Sequence, residues 1–299
     1  MLDPILSRRC TWHTDDAIEL NVANQPRVTR RTLLVLLAAS LSLVAPISAQ
    51  KPASPVVVLG VPAEVKDVEA VLIGPAVERV QGVPFTAGVI GSQRVILGKT
   101  NAGKVNAAMM AVLAIRHFAP SAVFFTGTAG AIDPELRPAD VVIATAIGYH
   151  DFGAATASGF VRRPTNNPAT GGVNPAFFSP AEWLLSAARR LAPTVKLTLA
   201  PGTTRVPVVR EGVVVTGDAF VGDSAQRDEM RRSLKASAVE MEGAAVAQVS
   251  TQLGVPFLVI RSITDSADGS TPDAYRQNLD AASRNAAALT LAVLAHLTK

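Results

Sequence analysis

The sequence predicts a single α/β domain of three layers, with helices on both sides of a mixed central sheet. Two observations predict it. Short β-branched runs bounded by Gly or Pro alternate with stretches of helical periodicity. The 299-residue chain is also 48% hydrophobic but only 5% aromatic, an Ala- and Val-rich composition that suits close packing of helices on a sheet.

Residues 1–49 are expected to lie outside that domain, which is read as 50–299. From 27 to 49 the chain reads RVTRRTLLVLLAASLSLVAPISA, with a basic start, an apolar run over 33–44 and small Ser48-Ala49 before Gln50. That is the pattern of a secretory signal peptide cleaved after Ala49. Thr29-Arg30-Arg31-Thr32-Leu33-Leu34 is also similar to a twin-arginine export signal. The apolar run is short for a span of about 20 residues and Pro46 follows it, so the mature protein is expected to have no stable membrane span. The expected location is periplasmic or secreted. Cys10 is the only cysteine, which leaves the mature chain no disulfide, thiolate nucleophile or Cys-type metal site. The formal charge is +4, and 1–49 contribute five Lys/Arg against four Asp/Glu. So small an excess gives no warrant for nucleic-acid binding.

Pro55-Val56-Val57-Val58-Leu59-Gly60 is a β-branched run ending in Gly, a buried first strand. Glu64 follows its carboxyl end in Gly60-Val61-Pro62-Ala63-Glu64-Val65. Residues 83–97 alternate as a Gly-punctuated hairpin, and Lys99-Thr100-Asn101-Ala102-Gly103-Lys104-Val105 opens a helix to about 118. A strand over 122–126 leads into Gly127-Thr128-Ala129-Gly130-Ala131, read as a turn whose exposed N–H groups meet a ligand. A strand over 141–144 precedes Tyr149-His150-Asp151. Adjacent side chains on extended chain point to opposite faces, and His117 and His296 fall on predicted helices, so no metal site is expected. Residues 153–180 lack periodicity and read as a long loop, usually a functional feature in a compact domain. A helix over 180–191, strands over 196–199 and 210–215, the string Thr216-Gly217-Asp218-Ala219-Phe220-Val221, and an amphipathic helix over 280–297 complete the chain.

The chemistry concentrates in 237–268, SAVEMEGAAVAQVSTQLGVPFLVIRSITDSAD. Ala244, Ala245, Val246, Val249 and Leu253 recur at helical spacing, and Gly254 then Pro256 stop a helix over 242–253. Residues 257–263 are short and β-branched, broken only by Arg261 and Ser262, as in a strand buried on both faces. Asp265 is then placed just past the carboxyl end of that strand, where open parallel sheets bind ligands. Each carboxylate alone also admits a plainer reading. Glu64, Glu240 and Glu242 suit helix starts, and Asp265 suits a turn.

Together the segments VEMEGAAVAQV and VPFLVIRSITDSAD closely resemble the 5′-methylthioadenosine/S-adenosylhomocysteine nucleosidases, within the larger purine and uridine phosphorylase family. The resemblance implies a nucleoside phosphorylase-like fold, no cofactor, and a homodimer that completes its pocket across a two-fold contact near 149–160. It implies hydrolysis of the N-glycosidic bond of purine nucleosides, with release of the base. That reaction needs a protonated leaving base, charge stabilisation at the sugar carbon and a nucleophile on the opposite face. By resemblance, Asp265 donates a proton toward purine N7, Glu242 accepts hydrogen bonds from the ribose hydroxyls, and Glu64 positions and activates water. The turn before Glu64 keeps the family's Glu-Val but is one residue shorter, with Pro62 and Ala63 in place of its first acids. Thr128 lies beside the ribose, Met241 packs on the sugar, and Phe220 stacks on the purine. Val221 and Thr264 join these substrate contacts, and Tyr275 bounds the 5′ substituent. Arg261 pairs with Glu240 to hold the site together.

Two alternatives accompany that reading. A phosphorolytic purine nucleoside phosphorylase would need an anion pocket, and the phosphorylases of this family place an Arg on the strand before the Gly-rich turn. Here that stretch is Val123-Phe124-Phe125-Thr126-Gly127, and a carboxylate at Glu64 repels phosphate. The other alternative is an exported nucleoside-binding protein without turnover, a reading the shortened turn before Glu64 keeps open.

Overall fold

The structure, a computed structural model, describes residues 54–297. The expected signal peptide, the cleavage expected after Ala49, and Cys10 lie outside the described residues. In chain order the elements are β1 (Val56–Gly60), α1 (Lys66–Ala70), β2 (Ile73–Val80), β3 (Val83–Ile90), β4 (Gln93–Lys99), α2 (Lys104–Phe118), β5 (Ala122–Ala131) and β6 (Val141–Tyr149). There follow β7 (Gly153–Thr156), β8 (Gly159–Arg162), β9 (Phe177–Phe178), α3 (Glu182–Leu191), β10 (Val209–Thr216), α4 (Ser224–Leu234), β11 (Ala236–Glu240), α5 (Gly243–Gln252), β12 (Phe257–Asp265) and α6 (Thr271–His296).

The main sheet has the order β11-β10-β6-β12-β5-β1-β4-β3-β2. It is mixed, as expected. β1 runs parallel to β4 and β5, and β5 parallel to β12, whereas β12 and β6 are antiparallel. The end of β5 also pairs antiparallel with β11, which closes β5, β12, β6, β10 and β11 into a ring. β1 and β12 are buried at every residue, the environment that selects unbroken apolar runs. On one side Val57, Leu59 and Phe125 pack against Met110, Ala114 and Ala245 of α2 and α5. On the other, Val58, Phe124 and Leu258 meet Leu184, Leu289 and Val293 of α3 and α6.

Several sequence expectations need correction. Residues 127–131 are strand and not turn, because their backbone groups are taken by β12 and β11. Residues 153–180 are not one loop, since they hold the β7–β8 hairpin and the short β9. Residues 196–199 form no strand. The backbone of Thr198 is satisfied instead by the Asn285 side chain of α6, which accepts its N–H at 2.6 Å and donates to its carbonyl at 2.9 Å. Helix α6 begins at Thr271 and not near 280, with Pro272 at its start, where a missing N–H costs nothing. Helix α4 was not anticipated, because its sequence SAQRDEMRRSL buries only Met230.

Candidate active site

One strand register brings the acidic residues together. Gly130 of β5 pairs with Asp265 of β12 on one side and with Val239 of β11 on the other. The residues that follow Val239, which are Glu240, Met241 and Glu242, therefore arrive beside Asp265. Ile263 pairs with Ala129 and Asp265 with Gly130, so Thr264 is an extra residue on β12. Such a bulge re-aims side chains at a sheet end. A Cβ on Gly130 would lie 2.9 Å from Asp265 Oδ1, which explains glycine at this crossing. Asp265 is 3% exposed. Its Oδ1 accepts from the Ala267 N–H at 2.9 Å, and its Oδ2 accepts from Thr264 Oγ1 at 2.7 Å.

Glu64 comes from the turn after β1 and is also buried. Its Oε1 accepts from the backbone N–H of Thr128 at 3.0 Å and from the Thr128 hydroxyl. Its Oε2 has no hydrogen-bond partner within the protein. Burial pushes the Glu64 carboxyl above its ordinary range, and the Arg261 charge and the Thr128 donors offset only part of that. A buried carboxylate with a raised proton affinity has the properties of a general base.

Glu240 and Glu242 flank the start of α5 but are used differently. Glu240 accepts from the N–H groups of Glu242 and Gly243, at 2.8 to 3.1 Å, from Thr216 Oγ1 and from Arg261 Nη2. Both of its oxygens are thus committed to the helix start and the guanidinium. Glu242 accepts from the Gly103 N–H at 2.7 Å. Burial, then the neighbouring Glu240 charge, pushes its carboxyl up to about 7. Arg261 is wholly buried and lies over the Phe125 ring, 4.1 Å from its centroid. It forms the ion pair with Glu240 that the sequence suggested.

These groups surround a cavity of about 330 Å³, whose wall includes Glu64, Thr128, Phe220, Val221, Glu240, Met241, Glu242, Thr264, Asp265 and Tyr275. Phe220 and Tyr275 meet edge to face, with centroids 5.6 Å apart. Their pairing depends on the early start of α6, which carries Tyr275. Burial raises the Tyr275 hydroxyl, and the charges of Glu64, Glu242 and Asp265 add to the rise. Of the residues singled out from sequence, Arg261 alone does not reach the cavity wall. It lies behind Glu64 and Glu240.

A model described as the phosphorylase superfamily matches residues 55–295. The chain belongs to the phosphorylase superfamily. Among curated members it is 34% identical over 214 residues to the 5′-methylthioadenosine/S-adenosylhomocysteine nucleosidase of Halalkalibacterium halodurans, covering 71% of this chain and 85% of that one. It is 35% identical over 219 residues to the nucleosidase of the same name from Tolumonas auensis, covering 73% and 88%. The Neisseria meningitidis nucleosidase of that name, solved in complex with methylthio-immucillin-A, superposes with a TM-score of 0.70 at 32% identity, over 81% of this chain and 99% of that one. The futalosine hydrolase of Helicobacter pylori superposes with a TM-score of 0.69 at 26% identity, over 81% and 98%.

The superfamily fold also gives this cavity features that sequence reading missed. Val61, Ala102, Pro272 and Arg276 line it, and no chemical signature marks the first three. Gly127 was visible as a glycine, but the side chains that it admits were not. Among the described residues, no group of three His, Cys, Asp or Glu is placed to hold a metal ion.

Proposed function

We propose that this protein hydrolyses the N-glycosidic bond of purine nucleosides of the 5′-methylthioadenosine and S-adenosylhomocysteine type. In this reading the purine lies against Phe220 and Val221, and the ribose hydroxyls donate to Glu242 beside Met241. Water positioned by Glu64 attacks the anomeric carbon as one of its protons passes to that carboxylate. The electron pair of the C–N bond leaves with the base, which receives a proton at N7 from Asp265. The products are the free base and the 5′-substituted sugar.

The charge of the cavity carries the choice of water over phosphate. Glu64, Glu240, Glu242 and Asp265 line it, while the one cation on its wall among the described residues, Arg276, is exposed and paired with Asp273. Arg261 is shielded behind two carboxylates. A phosphate dianion would enter a field of its own sign. The short turn after β1 still delivers Glu64 to the cavity, which removes the feature that favoured binding without turnover. Base release should therefore proceed in phosphate-free buffer and gain nothing from added phosphate. A strict phosphate requirement, with ribose 1-phosphate as product, would establish phosphorolysis instead.

The reading extends to assembly and location. Val105, Met109 and Val112 lie on one outer face of α2 and are 79%, 48% and 41% exposed, an apolar stripe of the kind that a second copy covers in a homodimer. The leader over 1–49, with its signal peptide over 27–49, supports export, so that the domain over 50–299 acts on nucleosides outside the cytoplasm. Among the described residues, no helix is long and apolar enough to cross a membrane. Fusion of residues 1–60 to a reporter tests export, and retention in the cytoplasm would reject it.

A further inference from the structure

The first turn of α2 is bound at successive residues to two different parts of the cavity. The Gly103 N–H donates to Glu242, as described above. The Lys104 N–H donates to Asp218 Oδ1 at 2.9 Å, and Lys104 Nζ donates to both oxygens of Asp151 at 2.7 and 2.8 Å. Asp151 Oδ2 accepts in turn from the Asp218 N–H at 2.8 Å, and Lys104 Nζ also lies 3.5 Å from Asp218 Oδ2. The Lys104 and Asp151 side chains are 22% and 27% exposed, less than those of Arg276 and Asp273, so solvent screens them less. Burial pushes the Asp151 carboxyl up, but the Lys104 ammonium and the Asp218 N–H more than offset this and hold it below its usual range.

Lys104, Asp151 and Asp218 do not line the cavity, whereas Ala219, Phe220 and Val221, which follow Asp218 directly, do. We propose that Asp151 and Lys104 are positioning residues that fix the 217–221 loop, the face for the base, relative to Glu242, the carboxylate for the ribose. The proposal rests on the nucleosidase reading of the cavity. Charge-assisted bonds of this geometry are roughly twice as strong as neutral ones, and three of them converge on Asp151. Their loss frees the loop that carries Phe220. Asp265 and Glu64 stand on other elements, on β12 and after β1, so the bond-breaking step is spared.

The test compares Asp151→Asn, Lys104→Met and Lys104→Arg with the wild type in three measurements: kinetics on 5′-methylthioadenosine, equilibrium binding of adenine, and amide hydrogen exchange over 217–221. For Asp151→Asn and Lys104→Met, KM and the adenine Kd should rise about tenfold, the scale of one charge-assisted bond. Their kcat should stay within about threefold, and exchange over 217–221 should quicken. Lys104→Arg should recover most of the loss. A fall in kcat with KM unchanged, or unaltered exchange in folded variants, would overturn the proposal. If Asp151→Asn does not fold, Asp218→Asn, at a half-exposed side chain, carries the same test. If the wild type releases no base, the nucleosidase reading fails and the exchange measurement alone decides the positioning role.

Discussion

Glu64 and Arg261 face each other across Gly127, with Arg261 Nη1 3.9 Å from Glu64 Oε2. A Cβ on residue 127 would stand 2.1 Å from that oxygen and 2.3 Å from that nitrogen. The missing side chain on β5 is therefore what lets a buried guanidinium sit behind the carboxylate proposed to activate water. Arg261 in turn is held by Glu240 and by the face of Phe125, so the position of Glu64 depends on all three.

Gly127→Ala is predicted to displace Glu64 and Arg261 together. Turnover should fall by about a hundredfold or more, with a loss of roughly 1 to 3 kcal/mol of stability from overpacking. Steady-state kinetics and thermal unfolding read the two effects separately. A variant with near wild-type kcat would mean that Glu64 does not need its present place.

Glu64→Gln keeps the size of the side chain and its acceptance from Thr128 but cannot take up a proton. Its kcat should drop by roughly 10² to 10⁴, the usual worth of a positioned base, while substrate affinity stays within about tenfold. Binding that is lost along with turnover would point to a role in holding the nucleoside.

Asp265→Asn and Glu242→Gln should separate on a plot of rate against affinity. Asn at 265 cannot donate the proton that the leaving base needs, so base release should be abolished with ligand binding within about tenfold. Gln at 242 removes a charged acceptor for the ribose hydroxyls, worth roughly 1.5 to 3 kcal/mol, and should weaken binding as well as rate.

Much of this arrangement was legible in the sequence, and what was missed follows a physical pattern. The buried strands β1 and β12 and helix α5 announced themselves because unbroken apolar runs and helical periodicity are forced by burial. Ten of the eleven residues singled out reach the cavity wall. What the sequence hid depended on partners distant in the chain. The strand character of 127–131 comes from pairing with β12 and β11, more than a hundred residues away. Asn285 satisfies the backbone near Thr198 from α6, and no local pattern at 196–199 reveals it. α4 is polar on most sides, so periodicity could not find it. Arg261 was correctly paired with Glu240, but its place behind the wall follows from β12 being buried on both faces.

The pH dependence of stability should carry the signature of Glu242. Its carboxyl titrates at about 7 in the folded protein against an ordinary value of 4.5. Between those values the folded state binds more protons than the unfolded chain, so stability falls as pH rises through that window. Glu242→Gln removes this contribution. The Tm of the variant relative to wild type should therefore increase from about pH 4.5 to about pH 8. Thermal scans at several pH values check this, and a difference independent of pH would contradict the raised proton affinity.

Val105→Glu on the outer face of α2 should convert a dimer to monomer without unfolding it, since that side chain is exposed in the single chain. Light scattering of the two proteins measures this directly. A wild type that is already a fully active monomer would remove the basis for a shared pocket.

The most direct test of the account is to follow 5′-methylthioadenosine with the protein in phosphate-free, oxygen-18-enriched water. The account predicts release of adenine, with the heavy oxygen on the anomeric carbon of the methylthioribose, and loss of that release in both Glu64→Gln and Asp265→Asn. No adenine from a folded wild type, or adenine that appears only when phosphate is added, would contradict it.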